Sequence, residues 1–363
     1  MVFDDSLLDD PARLADADTS GVLRATAMAG AQVRSVIERT AELDIDGKLD
    51  VGRPRALVLV GRSGVGKAAM RMLASLLGPS CPVPVVLAEV VPSWVGALDV
   101  VYAHTDDPGD DELAESLALA ARYGATIVLT SPEEGPVAAS IAGKGTLVAP
   151  RVAVGPDRIF ATVYTAGLRT LTALGLLAVD FDALADELDA EAERDHLHHE
   201  SFVNPAKTLA LALAERTPVL WALDPVAAAV GEHAAYLLAA EAAVVADAAE
   251  YRHALARGAL YRDVVGSSGG NDIFADPDDP DATMSRRKLL LLSVRQDGAA
   301  AAARRAATEV FSPADVVDIT DEIGAAEPVV AAVLGLRFEL AAVYLGLGAG
   351  SIGGANRFTP VQS

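Results

Sequence analysis

Sulfur, aromatic and basic side chains are all scarce in this chain, and each shortage excludes something. Cys81 is the only cysteine, so no disulfide can form within the chain and no thiolate metal cluster can assemble. A reducing, cytoplasmic setting is the natural expectation. Lysine and arginine total 29 against 51 aspartates and glutamates, a formal charge of −22. That balance argues against nucleic acid as a partner, because such binding rests on neutralising phosphates. It also opposes small anionic ligands unless a local basic group overrides the field. Aromatics make up 5% of the residues, so closely packed, alanine-rich helices fit better than a large aromatic core. No apolar run reads as a membrane span, since Arg337 and Glu339 interrupt the C-terminal apolar stretch, and no membrane partner is expected. The acidic start from Met1 to Asp5 reads as neither a signal nor a transit peptide.

The most informative stretch present is 55–67. An apolar run, Ala56-Leu57-Val58-Leu59-Val60, feeds a glycine-rich turn, Gly61-Arg62-Ser63-Gly64-Val65-Gly66, and then a helical segment from Lys67. Strand, glycine loop and helix N-terminus together favour an anion or another hydrogen-bond acceptor at the loop. The spacing from Gly61 to Lys67 fits a nucleotide P-loop, with Asp106 as a downstream acid. Ala68, however, stands where such a loop needs a hydroxyl to ligate magnesium.

Apolar runs at 56–60, 83–87, 99–102, 126–129 and 146–148 alternate with helical stretches at 67–77, 112–123 and 135–142. That alternation predicts βαβ units and a largely parallel sheet covered on both faces. Residues 9–40 read as a helical lead-in with Thr19-Ser20 as a cap. The charged stretch 182–200 reads as a solvated connecting helix. Beyond Pro205 the alternation resumes: strands at 218–223, 288–294 and 316–319, helices at 226–256, 299–308 and 327–345. A short strand is possible in pattern near Val244, and 266–280 reads as a loop. The expected divisions are 1–180 for a lead-in and first subdomain, 181–204 for a charged helical linker, 205–350 for a second subdomain, and 351–363 for a tail.

Several segments together resemble the bifunctional phosphoglucose/phosphomannose isomerase family of the sugar isomerase (SIS) fold group, and most closely its divergent TobH-like branch. They are the 61–69 loop, Pro92-Ser93-Trp94-Val95-Gly96, Thr130-Ser131, Pro150-Arg151-Val152-Ala153-Val154-Gly155 and Asn204-Pro205-Ala206-Lys207-Thr208-Leu209-Ala210. The resemblance covers roughly residues 55–345. It implies two α/β/α subdomains, each with a parallel sheet flanked by helices, assembled as a homodimer. It implies no cofactor and no resident metal. The implied activity is aldose–ketose isomerisation of glucose or mannose 6-phosphate, in which a carboxylate shuttles a proton and an arginine stabilises the enediolate.

Carried over residue by residue, the resemblance nominates Arg151 and Glu241 as catalytic groups. Ser63, Gly64, Thr105, Thr130 and Ser131 are nominated for substrate binding. The departures are as telling. Val65 replaces a loop serine, and the second phosphate loop has become His104-Thr105-Asp106-Asp107-Pro108-Gly109-Asp110-Asp111-Glu112. A carboxylate about 4 Å from a phosphate charge costs roughly 1 kcal/mol in water and about 4 kcal/mol at a protein surface. The family's ring-opening histidine is missing from 257–266, and no lysine follows Lys288. Lys207 is the candidate to refill the lysine role.

The expected function is therefore an SIS-fold protein that binds a sugar phosphate or related carbohydrate derivative and isomerises poorly or not at all. The alternatives are an active isomerase with a rewired site and a P-loop-like nucleotide binder. Two metal-binding patterns complete the candidates: His196 with His199 and Glu200, and the carboxylates at 106–112.

Overall fold

The computed structural model describes residues 3–268, 287–311 and 315–353. Its helices and strands follow one another as α1 (Pro11–Ala17), α2 (Val22–Thr26), α3 (Ala29–Glu42), α4 (Ile45–Lys48), β1 (Ala56–Gly61), α5 (Val65–Leu77), β2 (Val85–Ala88), β3 (Asp99–His104), α6 (Asp111–Arg122), β4 (Thr126–Thr130), α7 (Pro136–Ser140), β5 (Thr146–Leu147) and α8 (Phe160–Ala173). Then come α9 (Phe181–Arg194), α10 (Pro205–Leu213), β6 (Thr217–Ala222), α11 (Pro225–Ala242), β7 (Asp247–Glu250), α12 (Tyr251–Ala254), α13 (Gly258–Ser268), β8 (Arg287–Leu292), α14 (Gly298–Val310), β9 (Asp315–Val317), α15 (Thr320–Ile323) and α16 (Glu327–Ala349).

The chain divides into two compact units. One comprises Met28–Asp189, the other Met1–Ala27 with Ala190–Ser363. The helical lead-in is thus split, its part up to Ala27 grouping with the second sheet.

In the first unit five parallel strands lie in the order β2-β1-β3-β4-β5. Every residue of β1 and β3 is buried, as expected for strands with helices on both faces. Val58, Val60, Val101, Ala103, Ile127 and Leu129 pack on α6 and α7. On the opposite face Tyr102 donates to the Val163 carbonyl of α8 at 2.5 Å. β1 runs through α5 to β2 on one side, and the chain then crosses to β3 on the other. The topological switch point, where open α/β sheets gather ligands, therefore lies between the C-terminal ends of β1 and β3.

The second unit repeats the plan with four parallel strands, β7-β6-β8-β9. Its switch point lies between β6 and β8. Trp221 anchors one face, stacked on Tyr261 with centroids 5.9 Å apart and edge-on to Phe311 at 5.7 Å. α16 packs with α10 and α11 on the other face. By length and composition α16 could cross a membrane, but its apolar window is wholly buried. Its two buried charges are matched within the unit. Arg337 pairs with Glu191 and Glu322, and Glu339 meets His233 at 3.0 Å, which is how ionisable groups survive in a core.

Local expectations need four corrections. Thr19-Ser20 does not cap the second helix; the Asp18 carboxylate accepts from Val22 and Leu23 N–H at 2.7 and 2.9 Å, while Gly21 takes a left-handed conformation. The charged stretch is not a solvated helix throughout: Leu184, Ala185, Leu188 and Glu191 of α9 are buried, and the helix stops at Arg194. The stretch 226–256 breaks at Ala243, whose φ is 54°, and the strand arrives at Asp247. Gly266 sits inside α13 and not in a loop. The remainder of that expected loop beyond residue 268, and the tail beyond 353, lie outside the described residues.

Candidate functional site

The glycine loop joins β1 to α5 with almost no space to spare. A Cβ on Gly61 would lie 2.7 Å from the Gly66 backbone, and one on Gly66 would lie 2.8 Å from Cδ2 of His104. Gly64, the N-cap of α5, has φ 95° and no side chain to cap the helix, a conformation reserved for glycine. Lys67 and Ala68 N–H groups bond back to the loop at 2.9 and 3.2 Å. The N–H groups of Val65 and Gly66 have no described acceptor. Those are the donors a helix start leaves over for a ligand.

The five nominated binding residues converge on this sheet edge. Ser63 and Gly64 follow β1, Thr105 follows β3, and Thr130 and Ser131 close β4. His104 pairs in register with Gly61 on one side and Thr130 on the other. Most hydroxyls there already serve the local backbone. Thr105 Oγ1 accepts from Asp107 N–H at 3.1 Å. Thr130 Oγ1 lies 3.0 Å from His104 Nδ1, and Ser131 donates to the Pro132 carbonyl at 3.0 Å. Ser63 is exposed.

The acidic loop is held by the glycine loop's own arginine. Arg62 grips Asp110 with two hydrogen bonds of 2.5 and 2.7 Å and reaches Glu112 at 2.8 Å. The Arg62 guanidinium holds the Asp110 carboxyl below its usual range. Asp110 also caps α6 by accepting from Leu113 N–H at 3.0 Å. Asp106 and Asp107 are exposed. Lys67 turns to Glu89 at 3.2 Å. A cavity of about 200 Å³ opens here beside Gly61, Lys67, Met70, Arg71, Leu87 and Glu89.

The two nominated catalytic residues belong to different units. Arg151, in the first unit, is exposed and makes a bidentate pair with Glu42 at 3.0 and 2.5 Å. Glu241 is buried on α11 of the second unit, where its carbonyl accepts from Ser351 at 2.6 Å. Lys207 does not refill a catalytic role. Its ammonium is buried and donates to the carbonyls of Leu8, Leu197 and His199 at 2.6–2.8 Å, which commits all three of its protons to structure. His196 has His198 and His199 rings 5.1 and 6.3 Å away. Among the described residues, however, no three histidine, cysteine or acidic groups are arranged to hold a metal.

The second switch point is closed from within. Asp224, buried between β6 and α11, accepts from Val226 and Ala227 N–H at 3.0 and 2.8 Å through one oxygen. Its other oxygen accepts from Val294 and Arg295 N–H at 2.8 and 3.0 Å. A carboxylate of the chain occupies the place a ligand anion would take. A cavity of about 510 Å³ lies in this unit beside Pro205, Leu209, Leu290, Asp318, Glu322 and Arg337. Its charged lining is already paired, Arg337 with Glu322 and Lys288 with Asp315, so it offers no free polar anchor comparable to the glycine loop.

Sequence reading missed two residues that shape these sites, Asp224 and His104. Each had a signal: an Asp-Pro pair opening a helix after a strand, and a histidine ending the strand beside the glycine loop.

No protein-family model and no curated protein matches the chain. Solved structures do. Tagatose-6-phosphate ketose/aldose isomerase from Escherichia coli is 11% identical with a TM-score of 0.64, covering 95% of this chain and 97% of that one. The C-terminal domain of glucosamine-fructose-6-phosphate aminotransferase from Francisella tularensis is 11% identical with a TM-score of 0.61, covering 91% and 96%. At such identity the likeness is one of architecture: two parallel sheets, each flanked by helices, which is the SIS fold.

Proposed function

We propose that this protein binds a sugar phosphate or related carbohydrate derivative at the first unit's switch point, and that it isomerises its ligand slowly or not at all. The observation that carries this reading is the uncapped glycine loop, whose Val65 and Gly66 N–H groups have no described acceptor and which lies at the same sheet end as Ser63, Thr105, Thr130 and Ser131. The fold it shares with proteins acting on phosphorylated sugars supports the ligand class. The motif resemblance supports descent from the phosphoglucose/phosphomannose isomerases, in the TobH-like branch, with a cytoplasmic homodimer as the working form.

Weak catalysis follows from what the acid–base groups are doing. Lys207 has no proton to offer. Arg151 is engaged with Glu42. A positioned acid or base contributes about 10²–10⁴-fold to rate, so losing the histidine and lysine removes most of an isomerase's advantage. Arg151 and Glu241 remain the residues nominated for any residual proton transfer.

Thermal unfolding with added hexoses, hexose 6-phosphates and Mg-ATP tests this reading. A ligand at about 100 times its dissociation constant adds roughly 2.7 kcal/mol. Saturable stabilisation by a carbohydrate is the expected result. Stabilisation by Mg-ATP alone would instead establish a nucleotide loop despite Ala68.

A further inference from the structure

The first unit's sheet carries opposite charge at its two ends. Where the strands finish, Glu89, Asp106, Asp107, Asp110, Glu133 and Glu134 occupy the connections. Where the strands begin, the connections are 49–55, 78–84, 92–98, 123–125 and 141–145. Asp50 is the only acid in them, although the chain carries 51. Arg53, Arg55 and Lys144 lie in these connections, and Arg122 ends α6 beside them. All four are exposed. Among the described residues Arg53, Arg122 and Lys144 have no acidic partner.

The same end exposes large apolar side chains. Leu98 is 70% exposed, Tyr123 54% and Trp94 48%. They form one surface with the cations. Arg55 donates its backbone N–H to the Leu98 carbonyl at 2.8 Å, and its guanidinium lies 5.6 Å from the centroid of the Trp94 ring. Gly96 brings the Trp94 loop against the end of α6, where a Cβ would lie 3.7 Å from the Tyr123 carbonyl oxygen. The Arg122 guanidinium lies 5.8 Å from the centroid of the Tyr123 ring. A buried carboxylate sets the loop: Asp99 accepts from Arg55 Nε and from Gly96 N–H, each at 2.9 Å. Arg55 donates in turn to the Trp94 carbonyl at 3.1 Å. Trp94 is therefore held in place before any partner arrives, which lowers the ordering cost of binding.

This composition selects a partner. Aromatic and arginine side chains are the groups that carry most of the energy at protein interfaces, and a positive rim favours a negative occupant. Five strands side by side span about 19 Å, the length of about six extended residues. The field of four exposed cations reaches about 8 Å at physiological salt, so a short acidic segment lying on the patch feels it fully. A membrane or a nucleic-acid duplex is far larger than the patch and meets the chain's net charge of −22 as well.

We propose that the strand-start end of the first sheet is a docking surface for an acidic segment of another protein, with carboxylates on Arg55, Arg122 and the neighbouring cations and an apolar side chain among Trp94, Leu98 and Tyr123. The surface lies at the opposite end of the sheet from the switch point, so it stands or falls independently of the carbohydrate reading.

Fluorescence polarisation of a labelled peptide, Asp-Glu-Asp-Leu-Phe-Asp-Glu-Asp, titrated with the full chain tests the inference. Trp94 emission gives a second signal, because Trp221, the other tryptophan, is fully buried. The expected result is saturable binding that weakens about 10-fold between about 0.05 M and about 0.3 M salt. Trp94→Ala and Arg122→Glu should each weaken it about 10-fold or more. Arg305→Glu changes the net charge equally from α14 of the other unit and should leave affinity unchanged. Circular dichroism would confirm that the variants are folded. Equal effects of Arg122→Glu and Arg305→Glu would overturn the proposal, and so would a silent peptide at about 1 mM protein. Binding to phosphatidylserine vesicles without peptide binding would overturn it in favour of a membrane. Self-association abolished by Trp94→Ala, with the peptide silent, would overturn it in favour of a second copy.

Discussion

The two sheets end in the same place and treat it in opposite ways. At the β6–β8 switch point Asp224 satisfies four backbone N–H groups, two from α11 and two from the segment after β8. At the β1–β3 switch point the N-cap is Gly64, without a side chain, and two first-turn N–H groups are left over. The second switch point is a structural joint; the first is the one proposed here to receive a ligand. Repeated architecture therefore does not mean repeated function: a single residue at the helix N-cap decides whether the donors belong to the fold or to a ligand.

The largest expected effect comes from opening the closed site. Asp224→Ala strands four donors, three of them buried, and hydrogen bonds to a charged group contribute roughly 1.5–3 kcal/mol each. Denaturant unfolding should register a loss of about 3 kcal/mol or more. A loss under about 1 kcal/mol, the scale of an ordinary exposed cap, would mean that Asp224 is not the joint between helix and sheet.

Acid and base should separate the two units next. The first carries His104, whose pKa falls from 6.5 to about 4 through burial. The unfolded chain binds that proton more readily, so stability is lost as pH drops from about 6.5 towards 4. The second carries Asp195, buried beside Glu191 and raised from 3.8 to about 8 by desolvation first and the Glu191 charge second. Here the folded chain holds the proton more tightly, so stability falls as pH rises from about 4 to about 8. Asp195→Asn should flatten the alkaline side of the stability profile, and His104→Gln the acidic side. Equal slopes in wild type and variants would contradict these assignments.

Arg151→Ala should have the smallest effect on the fold. Its pair with Glu42 is exposed on both partners, and such pairs contribute about 0–1 kcal/mol. Thermal unfolding should barely change, so any fall in sugar affinity would report a ligand contact directly.

The alternation of strands and helices was legible because fully buried parallel strands leave apolar runs too short to be helices. Val58, Val60, Val101 and Leu129 supply them here, and all are buried. The glycine loop was legible for the same kind of reason: the Gly66 backbone of α5 excludes a Cβ at Gly61, and His104 of β3 excludes one at Gly66. The site chemistry was less legible. Nothing in the order of residues says that Arg62 would be drawn to Asp110, forty-eight positions away, and neutralised there. Lys207 looked like a free amine until its helix placed it among three carbonyls. His104 belonged to a string of polar loop residues, and only the register of β3 between β1 and β4 gave its two edges different neighbours.

Backbone amide chemical shifts during titration with a hexose or hexose 6-phosphate test the central claim most directly. The account predicts shifts at Val65 and Gly66 that saturate with binding, and none at Val226 or Ala227, whose N–H groups Asp224 already holds. A sugar that binds while leaving Val65 and Gly66 unmoved, or that moves Val226 and Ala227 instead, would contradict it.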